Sequence, residues 1–234
     1  MKSDGHRESW VAPEGNLVLR RSSDAKQLGC LWGEPGKQTD HEIVVTSLAR
    51  ACIGEMALSG VEQLAFRNKR YCGCCCGSGG HDVPAVKRKY NAYPDDKLAC
   101  CGVARVDGNI AGFVQMQLTG MPGQAGLPQF AWHSPQPDEA YVEMVAVLPS
   151  VRGVSIGRDL LQWAEETARA KGKQRLVLNV ISGNPAQRLY ERLGFEEVPS
   201  ASCRETCIDW VFMPIFLGCP YGKVGSKDMK KVLI

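Results

Sequence analysis

The sequence predicts a single mixed α/β (α+β) domain, and three observations carry that reading. Residues 99–118 read as two strands joined by an Asp-Gly turn. Residues 140–181 run strand, glycine-bearing turn, long amphipathic helix, buried strand. The chain's 234 residues, 44% of them hydrophobic and 23% charged, supply enough apolar surface for one substantial core.

Taken in order, Leu17-Val18-Leu19-Arg20-Arg21 predicts a first strand. From 42 to about 66, Val45, Leu48, Ala49, Cys52, Ile53, Met56 and Ala57 recur at three- and four-residue steps. That is the helical period, with Gly60 as its break. Residues 68–97 hold few apolar anchors and many Gly, Pro and charged residues. A long, mobile surface loop is expected there, ordering when substrate arrives, because little burial offsets roughly 1–2 kcal/mol of backbone ordering per residue. Strands at 99–106 and 110–118 flank the turn Asp107-Gly108-Asn109. A Pro/Gly-rich loop, 120–138, leads to a strand at 140–148.

The helix expected at 156–171 places Ile156, Leu160, Trp163, Ala164 and Ala168 on one face, and Gly172 ends it. The near-continuous apolar run at 175–181 reads as a strand buried on both faces. Asn184-Pro185 opens a short helix whose inner face carries Ala186, Leu189, Tyr190 and Leu193. Further strands are expected at 195–198 and 206–214. The expected organisation is a disordered N-terminus at 1–15, one domain at 16–215 with a loop insertion at 68–97, and a basic C-terminal tail at 216–234.

Charge and cysteine usage narrow the function classes. A net charge of +3 does not argue for a nucleic-acid partner, and no run of 18 apolar residues suggests a transmembrane segment. Asp4, Glu8 and Glu14, with no apolar block among them, argue against a secretory or transit leader. Eleven cysteines form an odd set with Cys74, Cys75 and Cys76 adjacent, a poor disulfide framework. Reduced thiols in a cytoplasmic setting are therefore expected. Cys72 and Cys75 have metal-ligand spacing, but no second pair or well-placed His completes a site, so no metal is expected.

The chemistry concentrates between Tyr141 and Phe195. The turn Val151-Arg152-Gly153-Val154-Ser155-Ile156-Gly157-Arg158 between strand and helix offers backbone N–H groups at the positive end of a helix dipole, a seat for a pyrophosphate. Arg152-Gly153-x-x-x-Gly157, with Asn184-Pro185-Ala186-Gln187-Arg188-Leu189-Tyr190-Glu191-Arg192-Leu193-Gly194-Phe195 downstream, resembles the acetyl-CoA-binding core of the GNAT acyltransferase superfamily. Ser155 stands where that pattern usually has glycine.

The resemblance implies a GNAT-like domain whose central, mostly antiparallel sheet has splayed fourth and fifth strands flanked by helices. The cosubstrate it implies is acetyl-CoA, with no metal. The backbone of Val145, Ala146 and Val147 would pair with pantetheine, and the Val145 N–H would polarise the thioester carbonyl. Arg152, Gly153, Val154, Ser155, Ile156, Gly157, Arg158 and Asn184 would complete the cofactor site. Tyr190 would protonate the leaving thiolate, and Glu143 would take a proton from the acceptor amine, with Glu139 a second candidate acid. The implied reaction is direct acetyl transfer to a primary amine, on a protein or a small molecule, in a ternary complex. The alternative is a CoA-binding regulatory module with no turnover. The sequence does not specify the oligomeric state.

Overall fold

The computed structural model describes residues 7–11, 17–22, 40–66, 82–123, 133–198 and 226–233. Its strands are β1 (Arg7–Val11), β2 (Leu17–Ser22), β3 (Asp40–Ser47), β4 (Cys101–Val106), β5 (Asn109–Leu118), β6 (Glu139–Val147), β7 (Arg175–Ile181), β8 (Glu196–Val198) and β9 (Ser226–Val232). They form one sheet in the order β1-β2-β3-β4-β5-β6-β7-β9-β8. Every neighbouring pair is antiparallel except β6 and β7, which run parallel. The helices are α1 (Ile53–Leu58), α2 (Val61–Phe66), α3 (Val83–Asn91), α4 (Asp95–Leu98), α5 (Ile156–Ala170) and α6 (Gln187–Arg192).

Apolar patterning assigns the helices to two faces. Ile156, Leu160, Trp163, Ala164 and Ala168, the stripe expected from sequence, are all buried in one cluster with Val114, Met116, Ala140, Val142 and Leu178 of the strands. A second cluster joins Ile53, Met56 and Val61 of α1 and α2 to Val86, Tyr90, Tyr93 and Leu98 from the α3–α4 region, over Phe113, Met144 and Ala146. The hairpin turn matches expectation: Asp107 and Gly108 both take positive φ, +49° and +81°, as a tight antiparallel hairpin requires.

Two irregularities shape the middle of the sheet. Gln115 pairs with Met144 but Met116 pairs with Val142, so Glu143 is an extra, bulged residue on β6. The bulge switches side-chain parity: Ala140 and Val142 enter the α5 cluster, whereas Met144 and Ala146 enter the opposite one. Then the parallel ladder of β6 and β7, which begins at Glu139↔Arg175, ends at Val142↔Leu178. Both strands continue beyond it, to Val147 and Ile181.

Four segments depart from the sequence reading. Within the N-terminal 1–15, β1 pairs with β2, setting Trp10 opposite Val18 and Val11 opposite Leu17. At 42–66 a strand, not a helix, occupies the first part. Ile43-Val44-Val45-Thr46 is a β-branched run, and Ile43 and Val45 are buried while Val44 is only half-buried, so its true period is two. A 3-10 turn, Arg50–Cys52, and then α1 and α2 follow, the two helices separated by Gly60 at φ +66°. Within the expected loop insertion at 68–97, α3 and α4 stand at the C-terminal end; 67–81, with its cysteines, lie outside the described residues. Asp82 caps α3 by accepting from the Ala85 N–H at 2.8 Å, and Val86 and Tyr90 are its buried residues. Within 216–234, expected as a tail, β9 lies between β7 and β8, with Met229 buried and Lys227 and Lys231 paired to Glu197 and Glu165 at 2.6 and 2.5 Å. The strand expected at 206–214 lies outside the described residues.

Candidate active site

Where β6 and β7 part, the turn that follows β6 meets the N-terminus of α5. Pro149–Val151 form a 3-10 turn. Gly153 follows at φ +91°, with open space where a Cβ would stand, so the backbone is uncovered there. Ser155 caps α5 at φ +71°, ψ +7°, with no side-chain capping bond. The first helical carbonyl bond is Asp159 N–H to Ser155 C=O at 3.1 Å. The N–H groups of Ile156, Gly157 and Arg158 therefore precede the intrahelical ladder. Asp159, the acidic residue of this first turn, is buried. A Cβ on Gly157 would lie 3.3 Å from Leu189 Cδ2 and 3.8 Å from Val147 Cγ2, so this glycine seats α6 and the end of β6 against α5. Arg152 is exposed, and its Nε donates to the Val147 carbonyl at 3.3 Å.

On the far side of the gap, Asn184 Oδ1 accepts from the Ala186 N–H at 3.0 Å and sets the turn into α6. Tyr190 is half-buried and packs against the α5 cluster, as do Val145, Val147 and Val154. Its ring meets Phe195 edge-on with centroids 6.0 Å apart, and its carbonyl accepts from the Phe195 N–H at 3.0 Å. The fold thus gathers the turn, the end of β6 and the Leu189-Tyr190 stretch on one side of the sheet.

Glu143 sits differently. As a residue it is of intermediate exposure, yet its side chain is only 4% exposed, so what solvent sees is mainly its backbone at the parting of the strands. The side chain enters a polar network on the face covered by α3 and α4. Lys97 Nζ, fully buried, donates to Glu143 Oε2 at 2.5 Å and to the Met116 carbonyl at 2.9 Å. Gln115 Nε2 donates to the same Oε2 at 2.7 Å and to the Tyr93 hydroxyl at 3.2 Å. Gln115 Oε1 accepts from the Tyr90 hydroxyl at 3.2 Å, and that hydroxyl also bonds Glu62, which pairs with Lys89 at 3.2 Å. Arg50 braces the α3–α4 junction, donating to the Tyr93 carbonyl at 3.0 Å and to Asp95 at 2.5 Å. Burial, and then the neighbouring Glu143, pushes the Tyr93 phenol above its usual range; burial, and then Glu62, does the same to Tyr90. Cys101 is pushed up to about 12, chiefly by burial.

Lys97, Gln115 and Tyr93 were not singled out from sequence. Gln115 left a faint signal, a polar residue inside the apolar run Phe113-Val114-Gln115-Met116. Lys97 left none, because its burial depends on strands that follow it in the chain. Glu139 lies at the opposite, closed end of the β6–β7 ladder, bonded to His133 at 2.8 Å and near Arg175 at 3.4 Å, away from the parting. The described residues contain no cluster of three or more His, Cys, Asp or Glu able to hold a metal, and no helix among them is long and apolar enough to cross a membrane.

The model of the acetyltransferase (GNAT) family matches residues 74–195, which contain β4 to α6 with Lys97, Glu143, the turn at 152–158 and Tyr190. The ribosomal protein bS18-alanine N-acetyltransferase of Haemophilus influenzae is 41% identical over 61 residues, 26% of this chain and 42% of that protein. The streptothricin acetyltransferase of Streptomyces lavendulae is 32% identical over 118 residues, 49% of this chain and 60% of that one. The chain thus spans about two fifths to three fifths of the length of these curated relatives. A crystal structure of an acetyltransferase shares the fold with a TM-score of 0.55 and 20% identity, over 81% of this chain and 99% of the other. So does the PaiA N-acetyltransferase of Thermoplasma acidophilum, solved in complex with coenzyme A, at 0.51 and 14%, over 81% and 98%.

Proposed function

The chain belongs to the acetyltransferase (GNAT) family, and from that premise we propose that it transfers an acetyl group from acetyl-CoA to a primary amine by direct attack in a ternary complex. The observation that carries the proposal is the parallel ladder that stops at Val142↔Leu178 while both strands run on. Backbone polar groups left without a ladder inside a sheet need partners. A pantetheine arm, with its amides, supplies them along Val145, Ala146 and Val147. The pyrophosphate then falls on residues 152–158, where Gly153 leaves the backbone uncovered and the first N–H groups of α5 precede its hydrogen-bonded ladder. Asn184 holds the α6 side of the gap.

In this reading Tyr190 donates its phenolic proton to the departing CoA sulfur, Glu143 receives the proton of the acceptor amine, and the Val145 N–H steadies the carbonyl oxygen. Each nitrogen–carbon bond formed matches one carbon–sulfur bond broken, with no covalent acyl-protein between. The acceptor class is inferred from the relatives: one is named for the alanine of a ribosomal protein, one for streptothricin. The free thiols Cys52, Cys100 and Cys101 support a reducing, cytoplasmic setting. The test is release of CoA thiol from acetyl-CoA in the presence of peptide N-termini, lysine and small alkylamines. Acceptor-dependent release is expected. Tight CoA binding with no release for any acceptor would instead favour the regulatory module.

A further inference from the structure

We infer that Lys97 is a positioning residue for the transfer reaction: it pairs with one oxygen of the buried Glu143 carboxylate and turns it so that the other oxygen is left to receive the acceptor's proton. The inference rests on the reading of Glu143 as the base and adds a group that neither the motif nor the family pattern singles out.

The geometry is asymmetric. Lys97 and Gln115 both act on Oε2 of Glu143, at 2.5 and 2.7 Å. Oε1 receives no hydrogen bond among the described residues. One oxygen is clamped and the other keeps its lone pairs for a proton. The clamp is itself fixed. The Met116 carbonyl holds Lys97 Nζ from the sheet, and the Tyr93 ring lies 5.6 Å from it. The bulge that makes Glu143 the extra residue of β6 places its backbone at the parting of the strands while its side chain stays 4% exposed.

The charges around Glu143 leave this task to Lys97. Tyr93 at the α3–α4 junction, Tyr90 of α3, Tyr141 of β6, and the thiols of Cys100 and Cys101 beside β4 are all driven up by burial, so they stay neutral where an amine is acetylated. Glu62 of α2 is reached through Gln115 and Tyr90, and Lys89 pairs with it. Lys97 is thus the cation in direct contact with Glu143 among the described residues. Exchanging a whole buried ion pair for neutral or apolar side chains often costs little, whereas removing Lys97 alone strands the Glu143 charge, so stability does not separate a structural lysine from a positioning one and the pH profile does.

The sign follows directly. A carboxylate in a water-poor site that loses its cation takes up a proton more readily, and a protonated base cannot accept another. Lys97→Met should therefore move the acid limb of kcat/KM for the amine upward by at least about one pH unit, the lower end of the effect of an adjacent opposite charge. That is a loss of about tenfold or more on the acid side, recovering as pH rises, with affinity for acetyl-CoA unchanged. Lys97→Arg, which keeps the cation, should hold the limb near its wild-type position. Glu143→Gln and the double variant Lys97→Met/Glu143→Gln complete the cycle. If Lys97 acts through Glu143, the double variant matches Glu143→Gln; because it replaces an ion pair by a neutral pair it remains measurable should Lys97→Met alone fail to fold, and in that case a double variant clearly slower than Glu143→Gln overturns the inference. A Lys97→Met limb at the wild-type position, or a double variant as far below Glu143→Gln as Lys97→Met is below wild type, would overturn the inference. A Glu143→Gln enzyme as fast as wild type would instead remove Glu143 from the reaction, and the role of Lys97 with it.

Discussion

Ser155 holds a left-handed backbone that glycine adopts freely and serine does not, and its hydroxyl gives no capping bond in return. Ser155→Gly should therefore stabilise the protein by about 0.5–1 kcal/mol, the usual scale for fitting the residue to its backbone, and should not weaken acetyl-CoA. Urea unfolding and calorimetric titration read the two effects, and a less stable variant would show that the serine hydroxyl contributes something unseen here. Tyr190→Phe removes the proposed proton donor while keeping the ring that packs on Phe195. Turnover should fall roughly 10²–10⁴-fold, the range for a positioned acid, with the melting temperature held. Full activity at saturating substrate would discharge Tyr190 from the reaction. The positions of these two residues were legible because their signals are local: a contiguous turn, and a short helix with its own anchors. Lys97 was not, since its partners come from β5 and β6 and become visible only once those strands pair.

At the scale of elements, the close seat of α5 on the sheet depends on two glycines in neighbouring strands. A Cβ on Gly102 would stand 2.5 Å from the Trp163 ring, and one on Gly112 would stand 2.9 Å from Leu160 and 3.1 Å from the Ala146 carbonyl. The carbonyl cannot swing aside as a side chain can. Gly112→Ala should cost about 1–3 kcal/mol, the range for an overfilled core. It should also weaken acetyl-CoA, because the displaced helix carries the proposed pyrophosphate seat. Denaturant unfolding and a binding titration check both, and a variant as stable as wild type would show that α5 lifts freely. Helix α5 and the β4–β5 hairpin were readable because each carries its period and its stop within one window. Strand β3 was misread because Val45, Leu48, Ala49 and Cys52 continue a three- and four-residue rhythm across the junction between a strand and a helical turn. Helices α3 and α4 were missed because their anchors are few, and the size of Tyr90 and Tyr93 does the work of number.

At the scale of the molecule, β9 joins the sheet beside β7 and forms ladders on both of its edges, so a basic segment with little apolar character is held by its neighbours rather than by its own composition. That explains why nothing in its sequence announced a strand. It also means that β7 is secured on one flank along its whole length, from Arg175↔Val232 to Ile181↔Ser226, and on the other only as far as Leu178. A sheet of nine strands therefore contains a seam open from the inside. Such a seam carries the unladdered backbone groups of an edge strand, and on the proposed reading the pantetheine arm covers them. Acetyl-CoA is then a non-covalent staple as well as a reactant. Saturating the protein at about 100 times its dissociation constant should raise stability by about 2.7 kcal/mol, read as a concentration-dependent rise in melting temperature and slower proteolysis near the seam. A melting temperature indifferent to ligand would contradict that linkage. On that reading, the lifetime of such a protein within a cell would track the supply of acetyl-CoA.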